Sequence, residues 1–153
     1  MIKVTFVCLG NICRSPVAEL VFKKLIREKG VEDMFEVSSC GTSGCEAGSS
    51  IYPPAAATLS RHGVEGSHTA RKITRKDIED SDYILVMDDD NMRGLKRVAS
   101  IDEQKKIFKL CSFTSRPRDV ADPWYTRDFE TAYADILDGC TAFLEKVSGE
   151  YGR

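Results

Sequence analysis

The stretch VTFVCLGNICRSPVAEL, residues 4 to 20, constrains everything that follows it. Val4, Phe6 and Val7 form an apolar run that reads as a buried strand ending at Cys8. Gly10 and Asn11 come next, residue types that tolerate unusual backbone angles. Ser15 is then expected as an N-cap and Pro16 as the first helical residue. Val17, Leu20, Val21 and Leu25 supply the apolar stripe of that helix, which Gly30 ends. A loop running from a strand end into a helix N-terminus points backbone N–H groups inward and adds the positive end of the helix dipole. Such a loop is an anion cradle.

Two side chains give the cradle a chemistry. Arg14 offers a planar fork matched to two oxygens of a phosphate-like group. Cys8, on the floor of the loop, is expected to be driven towards thiolate by the same donors, with a further hydrogen bond from Ser15. A nucleophile beneath a bound phosphate is the arrangement needed for phosphate-ester cleavage. The bland alternative, a buried strand Cys and a surface Arg, leaves Gly10, Asn11 and Ser15 unexplained.

Composition narrows the partners. At 153 residues and 42% hydrophobic, the chain is long enough for one core and too short for two ordinary domains, so a single domain over 1–153 is expected. A net charge of −2 provides no basic field for nucleic acid. No stretch approaches membrane-spanning length and no export signal is evident, so a cytoplasmic protein that binds no membrane is expected. The six cysteines are irregularly spaced and read as reduced thiols. Cys8 and Cys13 lack Cys-x-x-Cys spacing, and His62 and His68 lie far from both, so no metal is expected.

The remaining pattern alternates. Strand-like runs at 2–8, 35–39, 83–87 and 107–110 are interleaved with helical patterns near 54–62, 74–81, 90–99 and 128–148, which argues for a parallel sheet flanked by helices. Basic residues at Arg71, Lys72, Arg75 and Lys76, and acidic ones from Asp88 to Asp90, read as solvated helix ends.

A thiolate that attacks a phosphate monoester expels an alkoxide or phenolate, so a proton donor is needed opposite the loop. RPRDVADPWYTRDFE, residues 116 to 130, reads as a loop and carries Asp122 beside Pro123, Trp124 and Tyr125. Pro123 restricts Asp122 to an extended backbone, which is expected to project its carboxyl away from the following helix.

With these residues in place, the chain resembles the low-molecular-weight protein tyrosine phosphatases. VCLGNICRSPVAE, SSCGTSG, RHGV, SHTARKIT, DYILVMDDDN and DPWY followed by DFE carry the resemblance nearly from end to end. It implies an α/β three-layer sandwich with a central four-stranded parallel sheet of order 2-1-3-4. It also implies Cys8 as nucleophile, Arg14 as phosphoryl clamp and Asp122 as the acid that protonates the leaving phenol and then activates water. Phosphate binding would fall to the backbone of Leu9, Gly10, Asn11, Ile12, Cys13, Arg14 and Ser15. Loop support would come from Asn11, Ser15, Ser39 and His68, with Asn11 left-handed. Cys13 matches a second loop cysteine able to form a disulfide with Cys8 under oxidation. The implied partners are phosphotyrosine-containing proteins, with inorganic phosphate, vanadate or sulfate in the anion loop; a monomer without cofactor is expected.

The chain departs from the family pattern in one loop. Cys45 stands where a Trp or Tyr usually lines the cleft, and Ile51-Tyr52-Pro53-Pro54 replaces a charged stretch. Leu9, Cys45, Trp124 and Tyr125 are left to line the substrate cleft, with Tyr52 a possible substitute for the lost ring. Three other functions compete. An arsenate reductase needs a further thiol pair near the third strand, where residues 77 to 91 hold no Cys. Protein-arginine phosphatases, which share the scaffold, usually carry Thr after the nucleophile, where this chain has Leu9. A non-catalytic phosphate-binding module is expected to have lost Cys8, Arg14 or Asp122, all of which are present.

Overall fold

A computed structural model describes residues 1–150. The expected domain extends to 153, so its last three residues lie outside the described ones. The elements run β1 (Ile2–Cys8), α1 (Arg14–Glu28), β2 (Phe35–Gly41), α2 (Pro53–Arg61), α3 (Arg75–Asp80), β3 (Tyr83–Val86), α4 (Asp89–Lys96), α5 (Ile101–Gln104), β4 (Ile107–Lys109), α6 (Pro123–Thr126) and α7 (Phe129–Glu150). Single 3₁₀ turns lie at Glu32–Met34 and Leu110–Phe113.

The four strands form one parallel sheet of order β2-β1-β3-β4, as expected. β1 is central and buried on both faces apart from Lys3, which explains its nearly continuous apolar run. Strand order reverses at β1, whose neighbours are the next two strands in sequence. The carboxyl end of β1 therefore opens into the crevice where ligands of such sheets bind, and Cys8 is its last residue.

Each face of the sheet has its own core. Val4 and Phe6 of β1 face a large cluster built with Val17, Ala18, Val21 and Phe22 of α1 and Ile136, Cys140, Phe143 and Val147 of α7. Val7 joins a smaller cluster with Cys40, Ile78, Ile84, Val86, Leu95 and Ile107. Phe22 is the aromatic hub of the first cluster, with its ring centroid 5.7 Å from Phe6, 5.2 Å from Phe35 and 5.7 Å from Phe143. α7 packs closely over Leu110 because residue 139 is glycine; a Cβ there would stand 2.6 Å from Leu110 Cγ.

Local signals explain most boundaries. Thr74 and Ser100 make capping boxes at α3 and α5, and Asp88 caps α4. Gly30 terminates α1 at φ +69°, and Val31 N–H reaches back to Ile26 O at 2.9 Å. Two expectations need correction. α1 begins at Arg14, and Ser15 does not cap it; its hydroxyl is turned inward to the loop. The Asp122 segment is not all loop, because Asp122 caps the short helix α6 through Trp124 N–H at 3.0 Å. Its carboxyl thus folds back over that helix instead of projecting away, since an unsatisfied first-turn N–H lies within its reach.

Phe22→Ala is expected to destabilise the fold by about 3–5 kcal/mol, because it removes the ring shared by three aromatic neighbours. Denaturant unfolding with an unchanged m-value checks this.

Candidate active site

The loop between β1 and α1 turns on Asn11, whose backbone is left-handed at φ +62° and whose side chain is buried. Its amide nitrogen donates to Ser15 Oγ at 2.8 Å and to Ser39 Oγ at 3.1 Å. Its carbonyl oxygen accepts from Arg71 N–H at 3.0 Å and lies 2.6 Å from His68 Nε2. All four hydrogen-bonding positions of the amide are thereby used, and they tie the loop to α1, β2 and the segment before α3. Asn11, Ser15, Ser39 and His68 are brought together as the resemblance implied.

The assignment of protons follows from this arrangement. Ser15 Oγ accepts from Asn11, so its own proton is available to Cys8 Sγ, 3.0 Å away. Ser15 N–H points at the same sulfur from 3.4 Å. His68 presents Nε2–H to Asn11, while Glu19 lies 3.4 Å from Nδ1. Burial holds His68 below the ordinary imidazole value, reinforced by Arg71 and Lys23 and opposed by Glu19. Through that Nε2–H the ring supports the loop. Glu19, buried and bound by Ser39 Oγ at 2.7 Å and Lys23 Nζ at 2.6 Å, completes this layer.

Among the described residues, the backbone N–H groups of Leu9 through Arg14 donate to no protein acceptor. Six consecutive free donors beside a helix N-terminus form the cradle expected from the sequence. The loop also fits closely against β2: Thr42 N–H binds Cys8 O at 2.9 Å, and Ser43 N–H binds Leu9 O at 3.0 Å. Residue 41 must be glycine in this packing, because a Cβ would sit 2.6 Å from Leu9 O.

Arg14 is buried, and three oxygens hold its guanidinium. Nη1 donates to Asp88 at 2.7 Å and to Val120 O at 2.8 Å, while Nη2 lies 3.4 Å from Asp122 Oδ2. Burial opposes its charge, but Cys8, Asp88 and Asp122 more than offset that and keep it protonated. Nε has no protein partner among the described residues, so part of the fork remains open. Cys13 is also buried; burial and the neighbouring Cys8 push its thiol up to about 12. All six cysteines are free.

A cleft of about 220 Å³ stands above this floor, lined by Leu9, Cys45, Trp124 and Tyr125 as expected, together with Asp122 and Glu46. Cys8, Arg14 and Asp122, which are 114 residues apart at their extremes, meet around it. Tyr52 does not line it. Its ring stands behind Trp124 at 4.9 Å, so it has not replaced the missing aromatic wall.

Four supporting residues escaped the sequence reading. Nothing in the sequence marks Glu19 of α1. Asp88 and Arg71 read in the sequence as solvated helix ends, yet one holds Arg14 and the other binds Asn11 and forms a fork to Asp77 at 2.8 and 3.0 Å. Glu46, whose side chain passes 3.3 Å from the Cβ position of Gly10, gave no signal. Only Asp88 carried a cue, as an Asp immediately beyond a strand end. No group of three or more metal-ligating side chains occurs among the described residues.

A family model described as low molecular weight phosphotyrosine protein phosphatase matches residues 3–152. The human protein of that name is 43% identical over 149 residues, covering 94% of each chain. The crystal structure of YfkJ from Bacillus subtilis superposes with a TM-score of 0.93 at 36% identity, covering 98% of this chain and 96% of that one. The Drosophila arginine phosphatase DARP superposes at 0.89 with 32% identity, covering 95% and 98%.

The support layer carries a pH signature. Burial works to raise Asp77, but the Arg71 fork and the Thr74 donors outweigh it and hold the carboxyl down to about 2, from an ordinary 3.8. A depressed carboxylate stabilises the fold above its unfolded value and loses that contribution as pH falls through the folded value. Between pH 3.8 and about 2 the wild type should therefore lose stability more steeply than Asp77→Asn, as thermal melts across that range would report.

Proposed function

The chain belongs to the low molecular weight phosphotyrosine protein phosphatase family, and on that premise we propose that it hydrolyses phosphotyrosine in proteins, and small aryl phosphates, through a phosphocysteine intermediate. The observation that carries the reading is the run of unpartnered N–H groups from Leu9 to Arg14 around the Cys8 sulfur. Such donors bind the equatorial oxygens of a phosphoryl group and act most strongly where charge develops in the transition state. Inorganic phosphate, vanadate and sulfate present the same oxygens and occupy the same cradle.

The roles follow from the geometry. Cys8 Sγ attacks phosphorus with hydrogen bonds from Ser15 stabilising its charge. The bond from phosphorus to the phenolic oxygen breaks; its electron pair goes to that oxygen, and Asp122 supplies the proton. Arg14 follows the phosphoryl oxygens through the transfer, its plane set by Asp88 and Val120 O. In the second step water attacks phosphorus, Asp122 takes its proton, and the phosphorus–sulfur bond breaks to release phosphate and return the thiolate. Asn11, Ser39, His68 and Glu19 hold the loop in shape before substrate arrives, so its reorganisation does not add to the barrier.

Leu9, about half exposed at 48%, gives the cleft mouth an apolar side suited to an aryl ring. Trp124 and Tyr125 supply the aromatic side, and Cys45 leaves the opposite wall without one. Six free thiols support a reducing, cytoplasmic setting, in which the chain acts as a monomer. A peroxide oxidises the Cys8 thiolate to a sulfenic acid, its O–O bond breaking and the second oxygen leaving as water or alcohol; attack by the Cys13 thiolate then forms the S–S bond and expels hydroxide as water, giving the protective disulfide.

Phosphate release from 4-nitrophenyl phosphate tests the reading. Cys8→Ser should abolish turnover while still binding vanadate, and Asp122→Ala should lower kcat by about 10² to 10⁴. Vanadate binding by the native chain without any turnover would return it to the binding-module reading. Cys45→Trp should lower KM for aryl phosphates about 5-fold by restoring roughly 1 kcal/mol of ring stacking, and an unchanged KM would show that the wall contributes nothing.

A further inference from the structure

Tyr52 touches both halves of the site without lining the cleft. Its backbone N–H donates to Ile12 O in the phosphate loop at 2.9 Å. Its ring lies 4.9 Å from Trp124 and 6.0 Å from Phe129, so it packs against α6 itself and against the first residue of α7. Its hydroxyl accepts from Arg127 Nη2 at 3.2 Å, and the Arg127 guanidinium lies 5.4 Å from the Tyr52 ring centroid and 5.2 Å from that of Phe129.

The turn that carries Asp122 is anchored on its inner side by buried Val120 and Pro123 and by the Asp122–Arg14 ion pair, while its outer side depends on fewer contacts. Trp124 N–H binds Asp122 Oδ1, Thr126 N–H binds Asp122 O at 3.2 Å, and Arg127 N–H binds Pro123 O at 2.9 Å. Arg127 closes it in the left-handed region at φ +58°, a conformation a non-glycine residue keeps only when its surroundings hold it. Those surroundings are the Tyr52 hydroxyl and the two rings beneath the guanidinium. Trp124 and Tyr125 are otherwise exposed, at 47% and 78%, and offer little anchorage of their own.

We propose that Tyr52 is a positioning residue that fixes the Asp122 turn against the phosphate loop, so that the proton donor stands at a set distance from the nucleophile. This rests on the reading of Asp122 as the acid. Tyr52 has no contact with the reacting atoms; it acts through Trp124 and Arg127. A misplacement of about 1 Å at a catalytic group is enough to cost on the order of 10²-fold in rate.

Two variants separate positioning from stability. Tyr52→Leu removes the ring, whereas Tyr52→Phe keeps it and loses only the Arg127 hydrogen bond. For each, kcat/KM is measured on phenyl phosphate, whose leaving group needs a proton, and on 2,4-dinitrophenyl phosphate, whose leaving group does not. Tyr52→Leu should lose about 10-fold or more on the first and less than about 3-fold on the second, with Tyr52→Phe between it and the wild type. Trp124 is the single tryptophan of the chain, so its fluorescence reports the same contact directly. Tyr52→Leu should shift its emission to the red and raise its quenching by acrylamide. Equal losses on both substrates, or an unchanged tryptophan signal, would overturn the proposal, and Tyr52→Phe decides it if Tyr52→Leu does not fold. Asp122→Ala measured alongside keeps the two readings apart: leaving-group selectivity there with none in the Tyr52 variants rejects only the positioning role. Its absence in Asp122→Ala rejects the acid and, with it, this proposal.

Discussion

The side-chain amide of Asn11 is the constraint on which the site depends. A left-handed backbone at a non-glycine residue costs free energy, and here the cost is offset by four hydrogen bonds made by one buried amide. The four partners come from three stretches of chain, so the loop acquires its curvature only when α1, β2 and the 68–71 segment are in place. Removing the amide would leave several buried partners unpaired, at about 1–3 kcal/mol apiece. The network therefore couples the shape of the anion cradle to the integrity of the fold. Behind it, Glu19 with Lys23 and Arg71 with Asp77 satisfy those partners in turn.

Charge is distributed around this neutral hub in a deliberate order. Arg14 is buried, which is tolerable only because Asp88, Asp122 and the Val120 carbonyl surround it. The arrangement sets one cation under the cleft and keeps a carboxylate on either side of its fork. It also fixes the guanidinium plane, the property that makes Arg more useful than Lys for a planar array of phosphoryl oxygens. The sheet topology makes the meeting possible. β1 ends at Cys8 between β2 and β3, so residues leaving β3, such as Asp88, emerge beside those leaving β1.

Much of this is legible in the sequence. The apolar run of β1, the Gly-Asn pair and the stripe of α1 determine a strand, a tight loop and a helix by local physics, and the apolar runs and helical spacings place the four strands and the long helices to within a few residues. Side-chain detail fared less well. Ser15 looked like a cap because Ser-Pro commonly opens a helix, but the hydroxyl is drawn to Cys8 and Asn11 instead. Asp122 looked free to project, yet the first-turn N–H of Trp124 claims one of its oxygens.

What the sequence by itself determined is the chemistry available: a thiol, a guanidinium and a carboxyl, each in a local setting that restricts its backbone. Sequence separation hides what holds them together. Asp88 lies 74 residues from Arg14 and Tyr52 lies 75 from Arg127, and nothing in the residue types around either pair marks them as partners. Only the tertiary structure decides such contacts, because they arise from strand order and helix packing, where one buried charge or one polar tip takes whichever complement the fold brings within reach.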